Sequence, residues 1–234
     1  MSLPLAIIEI YMAEKETPTR VLFLFDVDGT LTPWQNPIQP SMVQLLSQIS
    51  SAVDLAVVGG SGMAKITEQL TAGVQDSPVM RLFQYIFAEN GTMAYRAGQL
   101  VARRSIADFL GEERLKEVLN FVLRYFSEME IPVKRGHFVD YRNGMLNFSP
   151  IGRACSQQER DQFFHFDAER GLRLAFKAAL EERFSKYDLC FAIGGQISID
   201  CYPKGWDKTY CLQMLENYPV IHFFGDRTDP VAVT

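Results

Sequence analysis

The chain has 234 residues, of which 47% are hydrophobic and 22% are charged, with a formal net charge of −5. This composition is typical of a globular protein with enough apolar material for one large domain or two small ones. The acidic balance provides no basic surface of the kind that nucleic-acid-binding proteins carry, and no apolar stretch reaches the length of a membrane span. We therefore expect neither a nucleic-acid partner nor insertion into a membrane.

The N-terminal segment and the cysteines indicate a cytoplasmic protein. Residues 3–11 lack the basic start of a secretory signal and include Glu9, so we expect a flexible leader. The cysteines show neither a C-x-x-C pair nor a zinc-binding spacing with the histidines; they are Cys155, Cys190, Cys201 and Cys211. Reduced thiols in a cytosolic protein are the simplest explanation.

The first part of the chain predicts alternating strands and helices. The apolar run at residues 21–25 suits a strand that is buried on both faces. Further strands are predicted at 55–58 and 85–88, with helices at about 40–53 and 63–70, the second of which Ser61 is placed to cap. This alternation is typical of a doubly wound parallel sheet.

From about residue 95 the pattern changes to α+β with antiparallel strands, which we interpret as an insertion. We therefore predict one discontinuous domain, residues 1–98 with 203–234, and an inserted domain, residues 99–202. The block begins with a hairpin at 97–98 and a long helix that is opened by a capping box at Ser105 and Asp108. Strands at 138–141 and 145–148 follow, joined by the turn Arg142-Asn-Gly144. A helical region then runs from the capping box Ser156 and Glu159 to about residue 184, before two last strands at 190–193 and 196–202.

Two carboxylates, Asp26 and Asp28, come directly after the first strand and are followed by a glycine and Thr30. In open α/β sheets ligands bind beyond the carboxyl ends of the strands, so these acids should lie at the mouth of a crevice. Two neighbouring negative charges repel each other unless a cation lies between them. A hard divalent ion, most simply Mg2+, would remove the repulsion and attract a phosphate. A strand followed by an ordinary Asx turn would use the same residues.

The last part of the chain returns to the first pattern. Gly205-Trp-Asp-Lys208 predicts a helix start, and the apolar strand at 220–224 ends at Gly225-Asp226. A second strand therefore delivers a carboxylate to the same edge of the sheet.

The motif Asp26-x-Asp28-x-Thr30 resembles the first motif of the haloacid dehalogenase superfamily of phosphotransferases. The resemblance implies that Asp26 attacks phosphorus and forms an aspartyl phosphate, while Asp28 acts as general acid and base. It also implies phosphate binding by Ser61 and Lys208, and Mg2+ binding by Asp26, Asp28 and Asp226. Ser61 as a simple helix cap remains an alternative.

The inserted block carries a more specific resemblance. The stretch from Arg135 to Arg160, together with residues 194–200 and 205–208, closely resembles eukaryotic-type phosphomannomutase, and the resemblance extends from about Val21 to Asp226. It implies an α/β fold with a HAD-like doubly wound parallel-sheet core and an inserted α+β cap that holds the sugar and its distal phosphate. The implied substrate contacts are Arg142, Arg153, Arg160, Ser198 and Asp200. Solvated surface arginines are the alternative for any one of these arginines.

The implied reaction interconverts mannose 6-phosphate and mannose 1-phosphate and feeds GDP-mannose synthesis. Asp26 would accept a phosphoryl group from a hexose 1,6-bisphosphate activator and pass it to the hexose phosphate substrate. The bisphosphate intermediate would then return its other phosphoryl group, while closure of the cap excludes water. The family also implies a homodimer formed through the cap.

Three departures from the family pattern keep two further functions open. Gln35 or Trp34 stands where the family has a substrate-binding arginine, and Gly62 replaces an acid. The chain ends at residue 234 without the family's metal loop, closing strand and helix, leaving Asp229 as a second acid. We therefore expect a divergent or truncated form with weakened Mg2+ binding. The alternatives are a capped sugar-phosphate phosphatase and an inactive, cap-dimerising homologue.

Overall fold

The computed structural model describes residues 20–34, 36–73 and 77–226, and residues 6–11 by their backbone. Gln35 and Asp229 lie outside the described residues. The chain divides into two compact units. The core unit is Met1–Arg103 with Gly205–Thr234, and the inserted unit is Arg104–Lys204.

The strands and helices are numbered in chain order. The strands are β1 (Ala6–Tyr11), β2 (Val21–Asp26), β3 (Asp54–Val58), β4 (Phe83–Ala88), β5 (Met93–Arg96), β6 (Gln99–Arg103), β7 (Val139–Tyr141), β8 (Leu146–Phe148), β9 (Leu189–Gly194), β10 (Ser198–Pro203) and β11 (Val220–Gly225). The α-helices are α1 (Pro40–Ile49), α2 (Met63–Thr71), α3 (Ile106–Leu110), α4 (Glu112–Glu128), α5 (Gln157–Arg170) and α6 (Leu172–Arg183). Short 3-10 helices cover Pro78–Leu82, Glu89–Gly91 and Lys208–Met214.

The core unit is built on a seven-stranded sheet with the order β1-β11-β2-β3-β4-β5-β6. The four central strands, β11 to β4, are parallel, whereas β1, β5 and β6 pair antiparallel. The predicted α/β fold is confirmed, with the parallel pairing confined to the centre of the sheet. Because those four strands run in one direction, their carboxyl ends lie along one edge.

Strand β2 is buried on both faces, as its apolar run predicts. Leu22 and Leu24 belong to a cluster with residues of the 3-10 helix Lys208–Met214. Phe25 belongs to the cluster on the other face, which includes side chains from α1 and α2. Alternate residues of the strand thus bury against opposite layers, and the chain leaves the sheet at Asp26.

The expected flexible leader is wrong for residues 6–11. This segment forms β1, which pairs antiparallel with β11 from Ala6 opposite Gly225 to Tyr11 opposite Val220. Without it, β11 would present an unpaired edge of the sheet. A segment rich in isoleucine suits that position because β-branched residues favour strands.

The inserted unit contains a four-stranded antiparallel sheet with the order β7-β8-β10-β9. Its apolar core includes Val122 of α4, Phe176 of α6 and Phe148 of β8. The unit starts at residue 104 and not at 99, because residues 99–103 form β6 and pair with β5 in the sheet of the core unit.

Two glycines divide helical regions that the sequence predicts as continuous. Gly111 has φ +73 and separates α3 from α4, and Gly171 has φ +64 and separates α5 from α6. These positive φ values stop an α-helix and are easily adopted only by glycine. The capping box at Ser156 is present, whereas Ser105 makes no side-chain cap.

No disulfide joins the four cysteines. Within the described ranges, no helix has both the length and the apolar character needed to cross a bilayer.

Candidate active site

Asp26 ends β2 and is almost completely buried, with 6% of its surface exposed. One carboxylate oxygen, Oδ2, lies 2.9 Å from Lys208 Nζ, and the other, Oδ1, accepts a hydrogen bond of 2.7 Å from the Val27 amide. Burial raises the pKa of Asp26, whereas the Lys208 ammonium opposes this rise. Lys208 thus supports the charged carboxylate, which is the form that can attack phosphorus.

Lys208 is positioned by the start of its own helix. Asp207 caps this 3-10 helix, because its Oδ1 accepts a hydrogen bond of 2.9 Å from the Thr209 amide. The turn packs closely against Gly91, where an added Cβ would lie only 2.9 Å from the backbone nitrogen of Cys211. The predicted helix start at Lys208 is therefore present, in 3-10 rather than α form.

Asp28 lies two residues beyond Asp26 and is oriented by a residue that the sequence analysis missed. The Oδ1 atom of Asp28 accepts a hydrogen bond of 2.8 Å from Gln69 Nε2. Gln69 is only 2% exposed, and its Oε1 atom has no hydrogen-bond partner among the described residues. The available signal was a polar residue on the apolar stripe of α2, between Ile66 and Leu70.

Asp226 follows β11, the strand next to β2 in the sheet. Its carboxylate lies against Gly29, which has φ +78; an added Cβ at Gly29 would be 2.7 Å from Asp226 Oδ2. The charge of Asp226 contributes to the raised pKa of Asp26. The structure therefore brings together the acids that follow two neighbouring strands.

The donor chemistry at this edge fits a hard divalent cation such as Mg2+. Asp26 and Asp226 offer carboxylate oxygens from neighbouring strand ends, and their mutual repulsion is the kind that a cation removes. Among the described residues, no three acidic, histidine or cysteine side chains form a metal site by themselves. Oδ1 of the Asp28 carboxylate accepts a hydrogen bond from Gln69, and the family resemblance implies that Asp28 contacts the cation through its backbone carbonyl.

Ser61 lies in the loop after β3, but it does not cap α2 as predicted. The helix begins at Met63, so the N-cap residue is Gly62, and no side chain caps it. The Ser61 carbonyl instead accepts a hydrogen bond of 3.0 Å from the Glu89 amide, in the loop after β4. Glu89 and Asn90 both have positive φ, +48 and +58, which is rare outside glycine and occurs at constrained functional loops.

The positions that depart from the family pattern supply no positive charge. Trp34, one of the two residues that stand where the family has an arginine, is 55% exposed and carries no charge. Gly62, which replaces an acid, is the N-cap residue of α2. This loop therefore contains no arginine at the position where the family has one.

The inserted unit carries a row of polar side chains across three neighbouring strands, Asp140, Asn147 and Asp200, here called the polar row. Asn147 of β8 is in register with Asp140 of β7 and with Asp200 of β10. Its Nδ2 donates a hydrogen bond of 2.6 Å to Asp200 Oδ1. Neighbouring residues such as Leu146 and Phe148 are buried in the apolar core. Asp200 was predicted from the sequence, whereas no motif indicated Asp140 or Asn147.

Two of the predicted arginines contact this polar row, and the third contacts the backbone of one of them. Arg142 Nε donates a hydrogen bond of 3.0 Å to Asp140 Oδ2, and Arg153 NH1 donates one of 2.7 Å to Asn147 Oδ1. Arg160 NH2 donates to the Arg153 carbonyl at 3.1 Å. The three arginines are therefore organised by the fold, which argues against three independent solvated charges.

Ser198 and Asp200 lie on β10, next to the hairpin turn that Arg173 holds in place. Arg173 is 4% exposed; its Nε lies 2.7 Å from Asp167 Oδ2, and its NH1 donates to the Gly195 carbonyl at 2.9 Å. The Ser198 hydroxyl donates to the Gly194 carbonyl at 3.0 Å. This buried ion pair fixes the turn before the predicted substrate-binding residues, and the sequence analysis missed it.

Burial raises the pKa of Asp200, while the hydrogen bond from Asn147 and the charges of Arg142 and Arg153 oppose the rise. A half-buried acid beside two guanidinium groups is suited to binding hydroxyl groups of a sugar, because a carboxylate accepts such hydrogen bonds.

The chain is similar to known proteins in both sequence and fold. A model of the family described as eukaryotic phosphomannomutase matches residues 42–232. A phosphomannomutase of Dendrobium officinale is 49% identical over 208 residues, covering 89% of this chain and 81% of that protein. A probable phosphomannomutase of Caenorhabditis elegans is 50% identical over 213 residues, covering 91% of this chain and 84% of that protein.

A solved structure with a similar fold is a haloacid dehalogenase-like hydrolase from Bacteroides thetaiotaomicron. It has a TM-score of 0.53 and 14% identity, and the match covers 85% of this chain and 76% of that one. At this identity the likeness concerns the fold alone, and the predicted HAD-like fold is confirmed. The extent of the family match settles the relationship: the chain belongs to the eukaryotic phosphomannomutase family.

Proposed function

We propose that this chain interconverts mannose 6-phosphate and mannose 1-phosphate by way of a phosphoryl group carried on Asp26. Membership of the phosphomannomutase family supports the reaction. The observation that carries the residue roles is the presence of two separate cationic sets. Lys208 lies 2.9 Å from Asp26 in the core unit, and the inserted unit organises Arg142 and Arg153 on its polar row. A mutase needs two phosphate-binding sets because both ends of one sugar must be held in turn.

Each residue of the core site has a distinct task in this proposal. An oxygen of Asp26 attacks phosphorus, and the bond from phosphorus to the sugar oxygen breaks. Asp28 donates a proton to the departing oxygen and takes it back from the next acceptor, in an orientation that Gln69 supports. Lys208 and Ser61 bind the oxygens of the phosphoryl group. Mg2+, when held by Asp26, Asp226 and the Asp28 carbonyl, supplies positive charge that offsets the charge of the phosphate.

In the inserted unit, Arg142, Arg153 and Arg160 bind the other phosphate group, and Ser198 and Asp200 bind the sugar. Planar guanidinium groups suit phosphate because they donate paired hydrogen bonds. A hexose 1,6-bisphosphate supplies the first phosphoryl group to Asp26 as activator. The inserted unit thus acts as the cap of the proposed enzyme.

The decisive experiment follows both products of one incubation. Mannose 1-phosphate is incubated with the protein and Mg2+, with and without glucose 1,6-bisphosphate, and mannose 6-phosphate and inorganic phosphate are quantified. We expect mannose 6-phosphate to form and to depend on the bisphosphate. Release of phosphate without isomerisation would instead assign the chain as a capped sugar-phosphate phosphatase.

If the chain is a catalytically inactive homologue, neither mannose 6-phosphate nor inorganic phosphate forms in this incubation. Isothermal titration with Mg2+ tests the assigned metal ligands, with Asp226→Asn as the matched variant. Submillimolar binding that Asp226→Asn abolishes supports the assigned ligands. Equal binding by both proteins contradicts them.

Four further properties belong to the same proposal. They are a homodimer formed through the inserted unit, a cytoplasmic location, a role in supplying GDP-mannose synthesis, and the absence of nucleic-acid and membrane partners. The acidic net charge of −5 and the family membership support them. Size-exclusion chromatography with light scattering tests the dimer directly.

A further inference from the structure

Asp140 occupies an unusual position for an acid in a phosphate-binding set. Its Oδ2 atom accepts from Arg142 Nε at 3.0 Å, and NH2 of the same guanidinium lies 3.0 Å from that oxygen. Arg153 Nε lies 3.6 Å from the same oxygen. One carboxylate oxygen therefore faces two of the three guanidinium groups that the proposed function assigns to phosphate.

Negative charge already offsets part of the positive charge of the three arginines before any ligand is present. Asp140 and Asp200 carry up to two negative charges, opposite the two positive charges of Arg142 and Arg153. A phosphate oxygen that approaches the arginines must compete with a carboxylate that they already contact. Asp140 thus occupies donors that would otherwise be available to the ligand.

These side chains are also accessible to such a ligand. The side chains of Asp140, Arg142 and Arg153 are 25%, 30% and 29% exposed. The buried pair of Asp167 and Arg173 in the same unit is only 9% and 5% exposed, which is typical of an ion pair that serves the fold. The contacts of Asp140 can therefore exchange with those of a phosphate without unpacking the core.

We propose that Asp140 is a positioning residue that competes with phosphate for Arg142 and Arg153, and that this competition speeds release of the phosphorylated sugar. The inference rests on the proposed function, because a mutase must release one phosphate from the arginines before it can bind the other. A set of arginines without a counter-charge would hold the bisphosphate intermediate too long.

Two roles of Asp140 predict opposite changes in affinity. If the carboxylate only orients the arginines, its loss weakens phosphate binding. If it competes with the ligand, removal of its charge strengthens phosphate binding. Asp140→Asn is the appropriate variant because an amide oxygen can still accept from Arg142, so the shape is kept while the charge is lost.

The binding experiment uses inorganic phosphate and isothermal titration of the full chain. We expect Asp140→Asn to lower the Kd about fivefold, which corresponds to about 1 kcal/mol, the upper range for partly exposed ion pairs. Glu169→Gln, the same loss of charge at an exposed position of α5, should leave the Kd within about twofold. The gain should disappear when Asp140→Asn is combined with Arg142→Gln.

The kinetic experiment follows conversion of mannose 1-phosphate. We expect KM and kcat of Asp140→Asn to fall together, because tighter binding slows release. An unchanged or raised Kd for phosphate overturns the proposal, as does a gain that persists in the double variant. An unchanged kcat with tighter binding overturns the role in release.

Asp140→Ser removes the same charge with a smaller side chain and should change the Kd in the same direction if Asp140→Asn does not fold. The two proposals can fail separately. If the wild-type protein converts no mannose 1-phosphate, the proposed function fails, while the phosphate titrations still show whether Asp140 competes with phosphate.

Discussion

The core unit and the inserted unit organise charge in different ways. The difference lies between the carboxyl ends of the central strands of the core sheet, here called the strand edge, and the polar row of the inserted unit. At the strand edge two acids have separate partners: Asp26 pairs with Lys208, and Asp28 accepts from Gln69. In the polar row the contacts are shared, because Asn147 links Arg153 to Asp200 and Asp140 contacts two arginines. Single pairs suit chemistry that needs one atom in one place. Shared contacts suit binding that must form and break repeatedly.

The difference predicts that the largest effect comes from the strand edge. Asp26→Asn removes the proposed nucleophile, and no neighbouring group in the described site replaces it, so kcat should fall at least about 1,000-fold. Initial rates with mannose 1-phosphate measure this, with Asp108→Asn, an exposed acid on α3, as the control. A loss of less than tenfold would contradict the assignment of Asp26.

Asn147→Ala tests the shared contacts of the polar row. The substitution leaves Asp200 Oδ1 and Arg153 NH1 without their amide partner in a site where Asn147 is 3% exposed. We expect the free energy of unfolding to fall by about 1 to 3 kcal/mol. Urea denaturation compares it with Asn120→Ala on the exposed side of α4, which should stay within about 0.5 kcal/mol. Equal effects of the two substitutions would show that the row adds no stability.

Arg153→Gln sharpens the contrast between chemistry and binding. Loss of one guanidinium from a shared set should raise KM for mannose 1-phosphate about tenfold, with a smaller change in kcat. Arg124→Gln removes the same charge from an exposed site on α4 and should leave both constants unchanged. If kcat falls as far as in Asp26→Asn while KM is constant, Arg153 is not a binding residue.

The smallest expected effect is a pH dependence at Asp200. Because burial raises the pKa of Asp200 above 3.8, the folded state binds its proton more tightly than the unfolded state does. The contribution of Asp200 to stability therefore falls as the pH rises from 3.8 through the folded pKa. Asp200→Asn lacks this titration, so its stability relative to the wild type should increase over that interval. Urea denaturation at several pH values measures the difference, and a constant difference would contradict the raised pKa.

Local patterns in the sequence were sufficient to predict most elements. The apolar run before Asp26 predicted β2, and Arg142-Asn-Gly144 predicted the hairpin of β7 and β8; both are confirmed. The predictions failed where the outcome depended on one residue or on distant pairing. Ser61 is not a cap because α2 begins at Met63. Residues 6–11 form β1 because they pair with the edge of β11.

The candidate site shows the same division. The carboxylates and arginines could be named from motifs, whereas Gln69, Asp140 and Asn147 could not. Gln69 contacts Asp28 only because α2 packs beside the loop after β2. Asn147 links Arg153 to Asp200 only because three strands pair in one register. A shift of that register by one residue would move these side chains to the other face of the sheet.

By itself, the sequence determined the family, the alternation of strands and helices in the core, and the acids that follow its apolar strands. These features depend on neighbouring residues and on motif spacing. The tertiary structure decided which partner each charge receives: Lys208 for Asp26, Gln69 for Asp28, and Asp140 for two arginines. The reason is physical. Hydrogen bonds and ion pairs act over about 3 Å, and only the packing of distant segments brings their atoms within that distance.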